Sequence, residues 1–153
     1  MILPLCLLAL ALALTGCAAG DSAAPEASCA QLADAVQKAA PFQELTDMTE
    51  KYMEKYLLIE AADLEEWIMR RDATRATPEM VLFLRVKPEA DLAAIQKSVS
   101  EFHDEQILLY RDYQPDQLFK LENARVLTKG RTLALIVSPD AEKTNAALGG
   151  GWQ

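Results

Sequence analysis

The run Val81-Leu82-Phe83-Leu84-Arg85-Val86 limits the fold of this chain more than any other segment. Successive side chains of a strand point to opposite faces of its sheet, and here both faces are apolar. A strand of that kind belongs in the middle of a sheet, covered on both sides, rather than at an edge with one wet face. Upstream, Glu65-Glu66-Trp67-Ile68-Met69-Arg70-Arg71 has the branched and aromatic content of a second strand, and Asp72 to Pro78 joins the two most simply as an antiparallel pair. Downstream, Ala124 to Thr128 and Thr132 to Ser138 flank Lys129-Gly130, which reads as a hairpin turn with Gly130 supplying the positive φ.

The remaining periodicity is helical. Ser28 is placed to cap a helix through Leu32, Ala35, Val36 and Ala39 that Pro41 ends, and a second helix near Thr49 carries Tyr52, Met53 and Tyr56 on one face. After Pro88, the residues Leu92, Ile95, Val99, Phe102, Gln106, Leu109 and Tyr113 alternate spacings of three and four, one stripe on a helix of about five to six turns that stops at Pro115. A stripe of about three heptads suits packing on the chain's own sheet better than a coiled-coil seam offered to a partner. A short segment from Asp116 to Leu121 leads to Asn123 and the next strand. Ser138-Pro139 opens a last helix through Leu148, and Gly149 to Gln153 is expected to be a disordered tail. The order predicts one α+β domain over residues 28–148, with a small, largely antiparallel four-stranded sheet and helices packed mainly on one face.

The N-terminal residues bear on location. Met1 to Leu14 is an apolar run rich in leucine, too short to span a bilayer comfortably, and it ends in Leu14-Thr15-Gly16-Cys17. This ending resembles a bacterial lipobox, in which the signal is cut just before the cysteine and the sulfur receives a diacylglyceryl group. On that reading residues 1–16 are a signal peptide and Cys17 is the lipidated N-terminus. Residues 17–27 form a flexible tether, poor in branched and aromatic side chains. The run lacks a Lys or Arg ahead of it, which an initiator further upstream would supply. The membrane is then a partner through the lipid on Cys17, because two or three acyl chains hold firmly where one does not. The expected location is extracytoplasmic, anchored to the cell membrane.

Charge and cysteine content narrow the partners. The formal net charge of -8 falls wholly after the signal, and an acidic surface repels phosphate backbones, so nucleic acid is excluded as a partner. With Cys6 removed and Cys17 acylated, Cys29 is the only remaining thiol, and no intramolecular disulfide can form. Cys29 reads as a small buried apolar residue; the alternative is a helix-start thiol activated for a mixed disulfide.

No motif for catalysis, cofactor or metal emerges. His103, the single histidine, stands in His103-Asp104-Glu105, whose members point in different directions on a helix; it reads as solvent-exposed on the flank of the stripe. Ser98, Ser100 and Ser138 lack the glycine-framed setting of a nucleophile. Glu60, Asp63, Glu65 and Glu66 lack the spacing and central glycine of a calcium loop and read as a solvated face. Two function classes remain. One is a non-enzymatic module binding an envelope protein, a peptide or a small ligand; the other is a small cell-envelope enzyme using carboxylates such as Glu101 or Asp104. Exposed aromatics such as Trp67, Tyr110 and Tyr113 would favour binding, and two buried carboxylates in a cleft would favour catalysis. The binding residues expected are Tyr110, Tyr113 and Asn123, where a helix end, a proline turn and a strand start meet. Their structural alternative is that Tyr113 closes the core stripe, Tyr110 covers apolar surface and Asn123 bonds local backbone.

The lipobox, the acidic tether, Pro41-Phe42, the strand pair, Asp112-Tyr113-Gln114-Pro115-Asp116, Leu121-Glu122-Asn123-Ala124 and Lys129-Gly130 together have a precedent. The chain resembles an uncharacterised family of small lipoproteins common in clostridial-type Gram-positive bacteria, classed as a domain of unknown function. The resemblance implies an envelope location and an α+β fold, and carries no catalytic assignment. Arg131-Thr132 departs from it, since such sequences often place an aromatic residue after the glycine.

Overall fold

The structure is a computed structural model and describes residues 26–153. The expected signal peptide, Cys17 and the expected tether up to residue 25 lie outside the described residues. The last two tether positions are fixed to the domain, since the Arg85 guanidinium donates to Ala27 O at 2.7 Å and lies 3.8 Å from the Glu26 carboxylate.

Among the described residues, five strands form one antiparallel sheet in the order β1-β2-β3-β5-β4: β1 (Leu45–Asp47), β2 (Leu64–Asp72), β3 (Met80–Val86), β4 (Val126–Lys129) and β5 (Thr132–Val137). The class is α+β as expected, with one strand more than the four read from sequence. The addition is β1, whose Leu-Thr-Asp is too short and polar to carry a strand signal. It is held by register with β2, with Asp47 opposite Arg70 and its carboxylate 2.9 Å from the Arg70 guanidinium.

The helices are α1 (Cys29–Ala39), α2 (Glu50–Leu57), α3 (Leu92–Tyr113), α4 (Leu118–Glu122) and α5 (Ala141–Leu148). Four begin at a residue whose side chain accepts a backbone N–H of the first turn: Ser28, Thr49, Asp91 and Asp140. At Ser28 the cap is reciprocal, with Gln31 N donating to Ser28 Oγ at 3.2 Å and Ser28 N to the Gln31 side chain at 2.9 Å.

These helices cover both faces of the sheet, not mainly one. Met80, Leu82, Leu84 and Val86 of β3 and Leu133, Leu135 and Val137 of β5 meet Met53 and Leu57 of α2, Ile95, Val99, Phe102 and Tyr110 of α3, and Leu121 of α4. Val81, Phe83, Ala134 and Ile136 point the other way, onto Cys29, Ala33 and Val36 of α1 and Leu148 of α5. The two-faced apolar character of β3 is the physical counterpart of this arrangement. Each large side chain so buried contributes roughly 1.5–3 kcal/mol over leaving it exposed.

The C-terminal residues are ordered, contrary to the expected disorder. Gly149 and Gly151 take φ of +72° and +90°, which lets the chain turn back. Thr128 N donates to Gln153 O at 2.8 Å and Gln153 N to Thr128 O at 3.0 Å, while the Trp152 ring stands edge-on to Phe83 at 5.9 Å. The segment thereby covers the open edge of β4, which would otherwise offer unpaired backbone groups.

Candidate functional site

The site lies where α2 and α3 diverge over the end of β2, and it depends on the loop joining β2 to β3. Asp72 builds that loop. Its Oδ1 accepts from Thr74 N at 2.8 Å and Thr74 Oγ1 at 2.6 Å, and its Oδ2 from Thr77 N at 2.9 Å and Thr77 Oγ1 at 3.0 Å. Burial acts to raise the Asp72 carboxyl, but these hydrogen bonds outweigh it and hold the group below the usual carboxylate range. Tyr110 latches α3 to the same loop, its hydroxyl donating to Thr77 O at 2.7 Å and approaching Arg75 O at 3.3 Å. Burial raises the Tyr110 hydroxyl above its ordinary value, so it remains a donor.

Against this loop opens a cleft of about 410 Å³. Tyr52 and Tyr56 of α2 form one wall, their rings 4.4 Å apart; Gln106, Leu109, Tyr110 and Tyr113 of α3 form the other. Arg71, Thr74 and Arg75 complete the lining, and none of its residues is acidic. Arg71 is the unusual member. Its residue is 8% exposed, its guanidinium carbon lies 5.4 Å from the Tyr52 ring centre, and it donates to Tyr52 Oη. Among the described residues it has no carboxylate within salt-bridge distance, although Arg70 pairs with Asp34 and Asp47, and Arg85 with Glu66 and Glu26.

The residues picked from sequence separate here. Tyr110 is fully buried at the base of the cleft and Tyr113 is 65% exposed at its rim, their rings 6.5 Å apart and edge to face. Asn123 does not join them; it is exposed and lines a different hollow with Arg125, Ala141 and Asn145. Trp67 is half-buried against the core under α2 and α3. Tyr52, Tyr56, Leu109 and Arg71 belong to the site but were not selected as binding residues. Tyr52 and Tyr56 gave the i, i+4 spacing of one helix face. Arg71 gave no signal beyond its place in a strand.

The end of the α3 stripe explains why the cleft is open. Ile95, Val99 and Phe102 are buried as expected, but Leu109 and Tyr113 are exposed and Tyr110 takes the inward position. A repeat averaging 3.5 residues drifts by about 20° per heptad on a straight helix of 3.6, so by the last turns the stripe has rotated off the sheet. The inward position passes to the neighbouring residue. His103 moves inward by the same rotation: it is buried, not solvent-exposed, with its Nε2 donating to Leu121 O at 2.9 Å.

The other candidates fall away from the cleft. Glu101 and Asp104 are exposed, and Glu101 pairs with Lys97 at 2.9 Å. Glu60, Asp63 and Glu65 are exposed and Glu66 bonds Arg85. No group of three or more His, Cys, Asp or Glu residues arranged to hold a metal occurs among the described residues. Cys29 is buried, and burial, with Glu66 nearby, pushes its thiol up to about 12. Its helix-start position therefore does not activate it.

Behind the loop a buried ion pair ties α4 to the sheet. Lys120 Nζ lies 2.6 Å from Glu79 Oε1, and Gln43 N donates to Glu79 Oε2 at 2.6 Å. The arrangement offers a wall of aromatic surface, one buried guanidinium and a rigid floor, a combination suited to holding a ligand.

No curated protein and no solved structure matches this chain. The sequence pattern of one family, described as a domain of unknown function, matches residues 38–138. That span holds all five strands and every residue of the cleft, and leaves out most of α1 and all of α5. The chain therefore belongs to the DUF4358 family.

Proposed function

We propose that this protein is an extracytoplasmic, lipid-anchored binding module, held to the membrane through Cys17, that takes a ligand in the cleft between α2 and α3. One observation carries the reading: four tyrosines and Leu109 converge on a concave site while Tyr56, Leu109 and Tyr113 stay 41%, 54% and 65% exposed. Apolar side chains of that size, gathered at a hollow on one side of an acidic domain, are the usual mark of a surface that something else covers. Tyrosine suits the purpose, since its rigid ring gives a large contact area at low entropy cost.

The carboxylate-enzyme alternative receives no comparable support, as Glu101 and Asp104 are neither buried nor in the cleft. The test places a photo-crosslinking amino acid at position 109 or, as control, at the exposed position 97 in cells. Adducts formed from position 109 and not from 97, in the membrane fraction, are the expected result. Equal labelling from both positions would refute the cleft as the site.

A further inference from the structure

Arg71 gives the cleft a chemical preference. A buried guanidinium without a counter-charge is costly, because desolvation of an ion is offset only by close pairing and hydrogen bonds. In this domain the two neighbouring arginines that reach solvent more freely, Arg70 and Arg85, are each paired with two carboxylates, while Arg71, at 8% exposure, meets only the uncharged hydroxyls of Tyr52 and Tyr110. Arg71 belongs to the lining of an open cleft whose other cation is Arg75 and which contains no acidic residue.

We infer that the cleft binds a single carboxylate borne on an aromatic or apolar body, the carboxylate on Arg71 and the body between Tyr52, Tyr56, Leu109 and Tyr113. This rests on the cleft being the binding site, as proposed above. The planar guanidinium fork matches a carboxylate in two parallel hydrogen bonds, and the pairing is strongest where water is excluded. The chain's net charge of -8 repels polyanions, so one buried cation selects a single negative charge rather than a phosphate-rich ligand. A free aromatic acid and the C-terminal residue of a peptide share this chemistry.

The experiment uses the full chain purified in detergent and titrates it calorimetrically with N-acetylphenylalanine, with its uncharged amide, and with a hexapeptide ending in phenylalanine carboxylate. The acid is expected to bind at least tenfold more tightly than the amide. Arg71→Met should reduce that ratio to below twofold, and Tyr113→Ala should weaken both compounds while leaving the ratio intact. Should Arg71→Met lower the melting temperature, Gln106→Glu serves instead: a carboxylate on the cleft wall repels the acid and not the amide, and the ratio falls in the same way. Binding of the hexapeptide as tightly as the acid identifies a peptide end, and binding of the acid alone a small free acid; both support the inference. Equal binding of acid and amide, still weakened by Tyr113→Ala, would overturn the carboxylate preference and leave the cleft standing. Phenyl phosphate displacing the acid would likewise overturn it. Absence of binding by any of the compounds at millimolar concentration would overturn the preference and the cleft together.

Discussion

Replacing Lys120 by methionine should destabilise this protein more than its position on a five-residue helix suggests. Glu79 is 1% exposed, and the two partners of its carboxylate are Lys120 Nζ and Gln43 N, each at 2.6 Å. Methionine fills the same volume but leaves the carboxylate buried with one hydrogen bond and no counter-charge, a change that costs about 3–5 kcal/mol. With a urea slope of roughly 2 kcal/mol per molar, the unfolding midpoint should fall by about 1.5–2.5 M. The double variant Glu79→Gln/Lys120→Met should recover most of the loss, because a neutral amide oxygen still accepts from Gln43 without a buried charge. Equilibrium urea unfolding of the wild type, both single variants and the double completes the cycle. A cost below 1 kcal/mol for Lys120→Met, or a double variant as unstable as the two singles added together, would refute the reasoning.

Three further expectations follow from the same geometry. Asp72 titrates below its ordinary value in the folded chain, so its contribution is complete above about pH 4 and is lost as pH falls through the folded value; Asp72→Asn should cost about 1–2 kcal/mol at pH 7 and flatten the acid limb of a stability profile measured by thermal melts. Cys29, buried and raised to about 12, should resist iodoacetamide at pH 8 in the native protein and react when urea is added, as mass spectrometry of the Cys17→Ser variant would show. Trp152→Ala removes the edge contact with Phe83 and loosens the strap on β4, for about 1–2 kcal/mol of stability by calorimetry and faster exchange of the Thr128 amide.

How far the sequence foretells this molecule depends on the range of the interaction involved. The helix starts at Ser28 and Thr49 and the turn at Gly130 are decided by residues within four positions of each other, and they appear where local chemistry places them. The two-faced apolar run of β3 announces a covered strand, but not that α1 and α5 do the covering, because amphipathic helices carry no mark of the face they will choose. β1 and the strap at Gln153 exist through hydrogen bonds to partners more than twenty positions away, so their own residues are silent. In the site, Tyr110 and Tyr113 stood out as aromatics at a helix end, and Asn123 stood out equally although it faces another hollow. Arg71 was illegible: its burial depends on Tyr52 and on the α3 rotation, and its lack of a carboxylate is a property of the assembled fold.

The most direct test of the cleft is nuclear magnetic resonance of the arginine Nε–H groups during titration with N-acetylphenylalanine. Arg70 and Arg85 are already held by carboxylates, whereas Arg71 lines the proposed site with no carboxylate within salt-bridge distance among the described residues. The account predicts that the Arg71 Nε–H signal moves saturably, together with the ring signals of Tyr52 and Tyr113, while those of Arg70 and Arg85 stay in place. An Arg71 signal that stays fixed while the ligand binds elsewhere on the chain would contradict it.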